Sequence, residues 1–303
     1  MTSPRLPLPT REGVGPSCVG LSHGPWPTIA EFLIERFPAI TREAWLERIA
    51  AGDVIDEHHV PVTAQRRYES PLRVYYYRTL DAEVPIPFEE QVLFQDDQLV
   101  VVDKPPFLPV TPTGKYLQQS LLVRLKRKLK IDDLVPLHRI DRSTSGLVLF
   151  SVRPETRGAY QAMFPERRIA KHYEAVVPWH EGVSSVPEVY RSRLVDDEHF
   201  MRVKEEAGEP NSETRIVVQE ARDGHALLQL SPVTGRKHQL RVHCMALGMP
   251  IVNDPIYPTL LPENTDDFDK PLQLLAKSVA FLDPITGGLR NFMSPRSLSL
   301  APR

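Results

Sequence analysis

The sequence predicts an α+β protein in which short strands outnumber helices, and three observations carry that prediction. Proline supplies 30 of 303 residues, about twice the usual share, and proline interrupts helices while tolerating turns and strand ends. Short apolar runs bounded by turn residues recur, as at 91–95, 98–103 and 147–150, which is the pattern of strands. Helical periodicity is confined to short stretches near 28–37, 41–51 and 118–130.

Residues 1–25 are rich in Pro, Gly and Ser without periodicity and are expected to form a flexible segment. Thr28 with Glu31 then reads as a capping box, and Ile29, Phe32 and Leu33 follow at helical spacing until Pro38. A second helix should start at Thr41, with Trp45, Leu46 and Ile49 on one side and Gly52 as its stop. Strands are expected at Val54-Ile55 and at 72–77, which closes a small α+β module over 26–80. The proline-stiffened stretch 82–87 links it to a larger domain over 88–303.

That domain should open with a hairpin turning at Asp96-Asp97 and ending at Lys104-Pro105-Pro106. The helix over 118–130 places Leu121, Leu122, Leu125 and Leu129 on one face. Arg124, Lys126, Arg127, Lys128 and Lys130 occupy the rest, either as a stripe for RNA phosphates or as a solvated helix face.

Composition narrows the class. Hydrophobic residues at 41% and charged residues at 25% exclude wholesale disorder. Two cysteines, Cys18 and Cys244, cannot form a disulfide framework, which with the lack of an apolar leader points to a cytoplasmic protein. No apolar stretch approaches the roughly 18 residues of a membrane span, so no membrane partner is expected. A net charge of -2 still allows a local basic face for nucleic acid.

The chemistry concentrates in three blocks. His138-Arg139-Ile140-Asp141-Arg142-Ser143-Thr144-Ser145-Gly146 feeds the apolar run 147–150, so Asp141 sits in a loop ahead of a core strand, flanked by cations that favour its ionised form. Alone, this reads as a salt-bridged structural loop. Ala170-Lys171-His172-Tyr173-Glu174-Ala175-Val176 supplies an aromatic in a strand. Residues 231–243 contain Thr234-Gly235-Arg236-Lys237-His238-Gln239-Leu240-Arg241-Val242-His243, followed by Leu247-Gly248-Met249-Pro250-Ile251-Val252-Asn253-Asp254.

Together the blocks resemble the RluA-like family of RNA pseudouridine synthases over most of residues 90–290, in the family's order. Asp141 matches the essential aspartate of its His-Arg-Leu-Asp-x-x-Thr-Ser-Gly-Leu signature, with Ile140 as a conservative change. The resemblance implies a catalytic domain with a mixed, largely antiparallel sheet and a central RNA cleft. It further implies that Arg236 pairs with Asp141, Tyr173 stacks on the target base, Arg139 fills the place that base vacates, and Leu274 lines its pocket. Thr144 and His238, inside the matching motifs, are assigned with them to substrate binding. Two family histidines are replaced by Leu275 and Asp283, where altered packing or substrate contacts are expected. The front module resembles a divergent S-four-like RNA-binding module, whose usual Asn-Gly turn is replaced by Asp56-Glu57-His58-His59.

The implied reaction isomerises uridine in structured RNA, ribosomal RNA being favoured and transfer RNA the alternative. Asp141 would either attack the sugar or remove a sugar proton. Nothing is oxidised and no group is lost, so no cofactor and no nucleotide is expected, and the chain is expected to be monomeric. His238 and His243 are spaced poorly for one helical face, and no zinc-like cluster accompanies them, so no metal is expected. His138-Arg139-Ile140-Asp141 is also similar to the protein-kinase catalytic loop, but the Gly-rich loop, Asp-Phe-Gly and later Asn of that family are absent. A non-catalytic RNA-binding factor of the same fold is the remaining rival, and intact Asp141, Tyr173 and Arg236 argue against it.

Overall fold

The computed structural model describes residues 10–78, 83–180, 186–262 and 266–302. The chain divides into two compact units, with the break between Glu83 and Val84.

The first unit runs β1 (Ser17–Leu21), α1 (Ile29–Arg36), α2 (Arg42–Ala50), β2 (Val54–Asp56) and β3 (Leu72–Tyr76). The Thr28 and Thr41 hydroxyls cap the two helices by accepting from the amides of Glu31 and Ala44. The helices bury Ile29, Phe32, Leu33, Trp45 and Ile49 with Val54 and Val74 of an antiparallel sheet ordered β1-β3-β2. Strand β1 corrects the expectation of flexibility across 1–25. Its backbone pairs with β3 from Ser17↔Tyr76 to Leu21↔Leu72, a non-local pairing that a five-residue run interrupted by Gly20 does not announce. Residues 1–9 and Ala82, the start of the expected linker, lie outside the described residues. In place of an Asn-Gly turn, buried Asp56 accepts from the amides of His58 and Val60 and from Arg66.

The second unit has the expected α+β class, with a large, mixed and largely antiparallel sheet. Its elements are β4 (Gln91–Gln95), β5 (Leu99–Lys104), α3 (Leu121–Leu129), β6 (Val135–Pro136), β7 (Ser145–Ser151), α4 (Pro154–Ala162), β8 (Ile169–Pro178), β9 (Val189–Asp196), β10 (Val203–Glu206), β11 (Ser212–Arg222), β12 (His225–Pro232), α5 (Gln239–Ala246), β13 (Leu274–Leu282) and β14 (Leu289–Met293). The sheet runs β10-β9-β11-β12-β8-β13-β7-β5-β4, with β14 beside β13 and β6 beside β7.

Every residue of β5 and β7 is buried, as continuous apolar runs covered on both faces require. Val100, Val102, Val148 and Phe150 pack with Leu121 and Leu125 of α3. Leu99, Val101, Leu147 and Leu149 pack with Tyr160 and Met163 at α4. A third cluster seats Leu240 and Cys244 of α5 on Ala175, Leu228 and Leu230.

Leu275 is a core residue, and Asp283 is a buried turn hub accepting from Tyr160, Arg290 and the amides of Ile285 and Thr286.

Strand β7 meets β13 in parallel, Leu275↔Ser145 and Ala276↔Gly146. Gly146 has φ +107, and a Cβ there would stand 2.3 Å from the Ala276 carbonyl oxygen. Only glycine fits this approach, which fixes the exit of the Asp141 loop onto the sheet. Gly146→Ala should therefore destabilise the protein by about 1–3 kcal/mol or more, read as a lower urea midpoint at unchanged slope.

Candidate active site

Four segments converge on Asp141: the loop ahead of β7, the end of β5, the front of β8 and the N-terminal end of α5. The loop is closed by the Thr144 amide, which donates to the Asp141 carbonyl at 3.1 Å. It is anchored below by Lys104, fully buried at the end of β5, whose Nζ donates to the carbonyls of Pro105 (2.8 Å), Leu108 (2.8 Å) and Arg142 (3.1 Å). Burial pushes the Lys104 pKa well down, while nearby Asp141 acts against that. His138 holds the loop from the other side, its Nε2 accepting from the Leu149 amide at 3.2 Å. Burial keeps this imidazole neutral, with its pKa lowered to about 3.

The cation on Asp141 is Arg241. Its Nη1 donates to Asp141 Oδ2 at 3.0 Å, while its Nε and Nη2 grip Asp254 at 2.8 and 2.6 Å. Asp254 in turn accepts from the amides of Ile256 and Tyr257. The guanidinium is thus locked in a two-point carboxylate clamp with one edge left for Asp141. Arg241 stays charged: burial opposes the charge, but the two carboxylates outweigh burial and raise its pKa.

Helix α5, which carries Arg241, is pinned by buried His243. This imidazole shares hydrogen bonds with Thr214 Oγ1 and Ser212 Oγ, both at 2.9 Å, so it faces β11 rather than Asp141.

For Asp141 itself, burial favours the neutral acid, but Arg241 and Lys104 overcome that and hold the carboxyl below its ordinary range. His238 Nε2 stands 3.9 Å from Asp141 Oδ2. Burial lowers His238 to about 4, so at neutral pH it is an uncharged neighbour, oriented through Nδ1 by the Tyr257 hydroxyl at 3.0 Å. The Asp141 side chain is 29% exposed, and among the described residues no hydrogen bond reaches Oδ1. One oxygen is held and the other is open.

Tyr173 on β8 packs against the apolar clusters on both sides and feels the Asp141 charge, which together with burial raises its pKa and keeps the phenol neutral. Leu274 at the start of β13 is buried in one of those clusters, and its carbonyl accepts from Ser145 Oγ. Arg139 is exposed, with no hydrogen bond or ion pair among the described residues.

Several sequence assignments are corrected. Arg236 does not pair with Asp141. It is exposed, its Nε donates to the Asn211 carbonyl at 3.2 Å, and it lies in the loop before α5, whereas Arg241 lies one helical turn inside. Thr144 is 2% exposed, so it shapes the loop rather than facing substrate. Arg142 turns to Asp266 at 2.5 Å instead of supporting Asp141. Arg124 is not a phosphate ligand: it points inward to Phe88, Ile86, Glu90 and Gln119. Lys126, Arg127 and Lys128 remain on α3, Lys128 lying 4.0 Å from Glu90. Arg241, Asp254 and Lys104 were not assigned from sequence, yet an arginine between Leu240 and Val242 in an apolar helix signals a buried charge that needs a partner.

The family model described as RNA pseudouridylate synthase matches residues 98–246. The dual-specificity RNA pseudouridine synthase RluA of Pasteurella multocida is 34% identical over 207 residues, covering 67% of this chain and 92% of that protein. The mitochondrial tRNA pseudouridine(32) synthase of Saccharomyces cerevisiae is 32% identical over 171 residues, 55% of this chain and 37% of its own. Human RNA pseudouridylate synthase domain containing 1 shares the fold with TM-score 0.55 at 24% identity, covering 71% of this chain and 86% of that one.

Replacing Arg241 by Met would leave Asp254 buried and unpaired, a loss of about 3–5 kcal/mol at pH 7, measurable by urea unfolding. Because the folded pKa of Asp141 lies below the ordinary 3.8, the Asp141 share of that loss is present above that value and fades as pH falls through the folded pKa.

Proposed function

Since the chain belongs to the RluA-like family of RNA pseudouridine synthases, and is therefore an RNA-modifying isomerase, we propose that Asp141 is its catalytic carboxylate, acting on uridines in structured ribosomal or transfer RNA. The observation that carries this reading is the Asp141–Arg241–Asp254 chain, with Asp141 Oδ2 held at 3.0 Å and its other oxygen open. A carboxylate kept ionised and aimed serves both available routes, attack on the sugar C1′ or removal of the C2′ proton. In either route the N1–C1′ bond breaks, the uracil turns and C5 joins C1′, which displaces Asp141 from C1′ in the first route and is followed by return of the proton from Asp141 to C2′ in the second. The C5 proton is then lost and N1 gains one, so the product is an isomer.

The target atom is out of reach in a stacked helix, so the nucleotide is extruded at a cost of a few kcal/mol. Tyr173 offers a neutral ring on which the extruded base stacks, with Leu274 on the apolar side of the same pocket. Arg139, exposed and unpartnered among the described residues, takes the space the base leaves. Arg241 fills the role the sequence assigned to Arg236, while His238 contributes an uncharged donor or acceptor beside the carboxylate. Lys126, Arg127 and Lys128 of α3 are candidate contacts to RNA backbone farther out.

The name of the Pasteurella relative states dual specificity and that of the yeast relative states transfer RNA. These names support keeping transfer RNA beside ribosomal RNA as a substrate class.

Asp141→Asn keeps the shape and removes the charge. The initial rate of pseudouridine formation in RNA of cells lacking this gene should fall by about a thousandfold or more, with an unchanged circular dichroism spectrum. An ordinary rate with that variant would remove Asp141 from the mechanism.

A further inference from the structure

A second group of cations, apart from those of α3, lies around the loop that leads into α5. Ser231 at the end of β12 shares a 2.8 Å hydrogen bond with His172 of β8. Thr234 Oγ1 accepts from the Glu213 amide at 2.9 Å, and the Val233 amide donates to the Glu213 carbonyl. The loop is therefore stitched to β8 on one side and β11 on the other.

Cations gather on both sides. The Lys171 ammonium lies 4.0 Å from where a Cβ on Gly235 would stand, and Lys171 also acts on His138 in the Asp141 loop. Arg236 leans on Asn211. Arg191 of β9 pairs with Glu213 at 2.8 Å. Arg215 follows Glu213 by two residues on β11, hence on the same side of that strand, and Arg167 is near enough to act on Glu213 as well.

Among the described residues Glu213 pairs with Arg191 and is acted on by Arg215 and Arg167, and Glu166 is already matched by Arg168 at 2.6 Å. The side chains of Lys171, Arg167 and Arg215 have no ion pair or hydrogen bond among the described residues. The contrast with α3 is direct: Arg124 there is consumed internally, Lys126 has Asp132 and Asp133 nearby, and Lys128 has Glu90.

Held like charge destabilises a folded chain unless an anion completes it. In a chain of net charge -2, such a cluster, linked to the Asp141 loop through Lys171 and His138 and joined along the chain to His238 through Arg236, calls for a partner of dense negative charge. Building on the pseudouridine synthase reading, we propose that Arg167, Lys171, Arg191, Arg215 and Arg236 form the surface that binds the RNA phosphates flanking the extruded nucleotide. Phosphate contacts of this kind set affinity and register without reading sequence.

The test compares the full chain with an Arg167→Gln/Arg215→Gln double variant and with Arg222→Gln. Arg222 stands on the same strand seven residues beyond Arg215, roughly 23 Å along it, beside Asp223. Binding of an unmodified transfer RNA transcript is measured across a salt series. The double variant should bind about tenfold more weakly near 0.1 M salt and lose about 1.4–1.8 from the slope of log affinity against log salt, while Arg222→Gln follows wild type. The proposal is overturned by a double variant with wild-type slope, by an Arg222 variant that loses as much, or by wild-type binding that does not respond to salt. Wild-type pseudouridine formation on cellular RNA is assayed in parallel. Its absence would remove the enzymatic reading, whereas the binding series decides the surface separately.

Discussion

Arg241 is the group on which the site depends, because it is one buried cation shared by two carboxylates. Asp254 takes two of its nitrogens and is itself fixed by two backbone amides. The remaining edge belongs to Asp141. Burying charge is expensive unless each group is paired and hydrogen-bonded; Arg241 and Asp254 meet that condition, and among the described residues no hydrogen bond reaches Oδ1 of Asp141. The side chain that carries this oxygen is also partly exposed.

The sheet makes that arrangement possible. Asp141 and Arg241 are 100 residues apart in sequence, and each is delivered by a separate support. Gly146 lets the Asp141 loop enter β7 against β13, and Lys104 ties the same loop to the end of β5. His243 locks α5 to β11 from the opposite side. The supports are buried, whereas Arg139, Arg167, Arg191, Arg215 and Arg236 are exposed and Lys171 is half-buried. That division suits an enzyme that must hold a carboxylate still while accommodating a large polyanion.

Much of the fold was legible because its elements are locally marked. Thr28 and Thr41 announced the helices they cap, and the apolar run at 147–150 lies within buried β7. Strand β1 escaped because its pairing is supplied by a strand some fifty residues later, and nothing in Ser17-Cys18-Val19-Gly20-Leu21 encodes that partner. At the site, Asp141 stood out through its surrounding signature, not through its own chemistry. Arg236 and Arg241 occupy one motif, and only the helix, which turns Arg241 inward and leaves Arg236 in the loop, separates their roles. Arg124 could have been read better: it sits three residues after Leu121, at the edge of the buried stripe, where an arginine tends to be structural.

The central claim is that the folded protein keeps Asp141 ionised through Arg241 against the pull of burial. The most direct measurement is a carbon-13 carboxyl NMR titration of the free protein, with the Asp141 signal identified by its loss in Asp141→Asn. The account predicts a midpoint below the ordinary 3.8, with no change of signal from neutral pH down to that range. A midpoint above it would contradict the account, because burial would then have prevailed over the guanidinium.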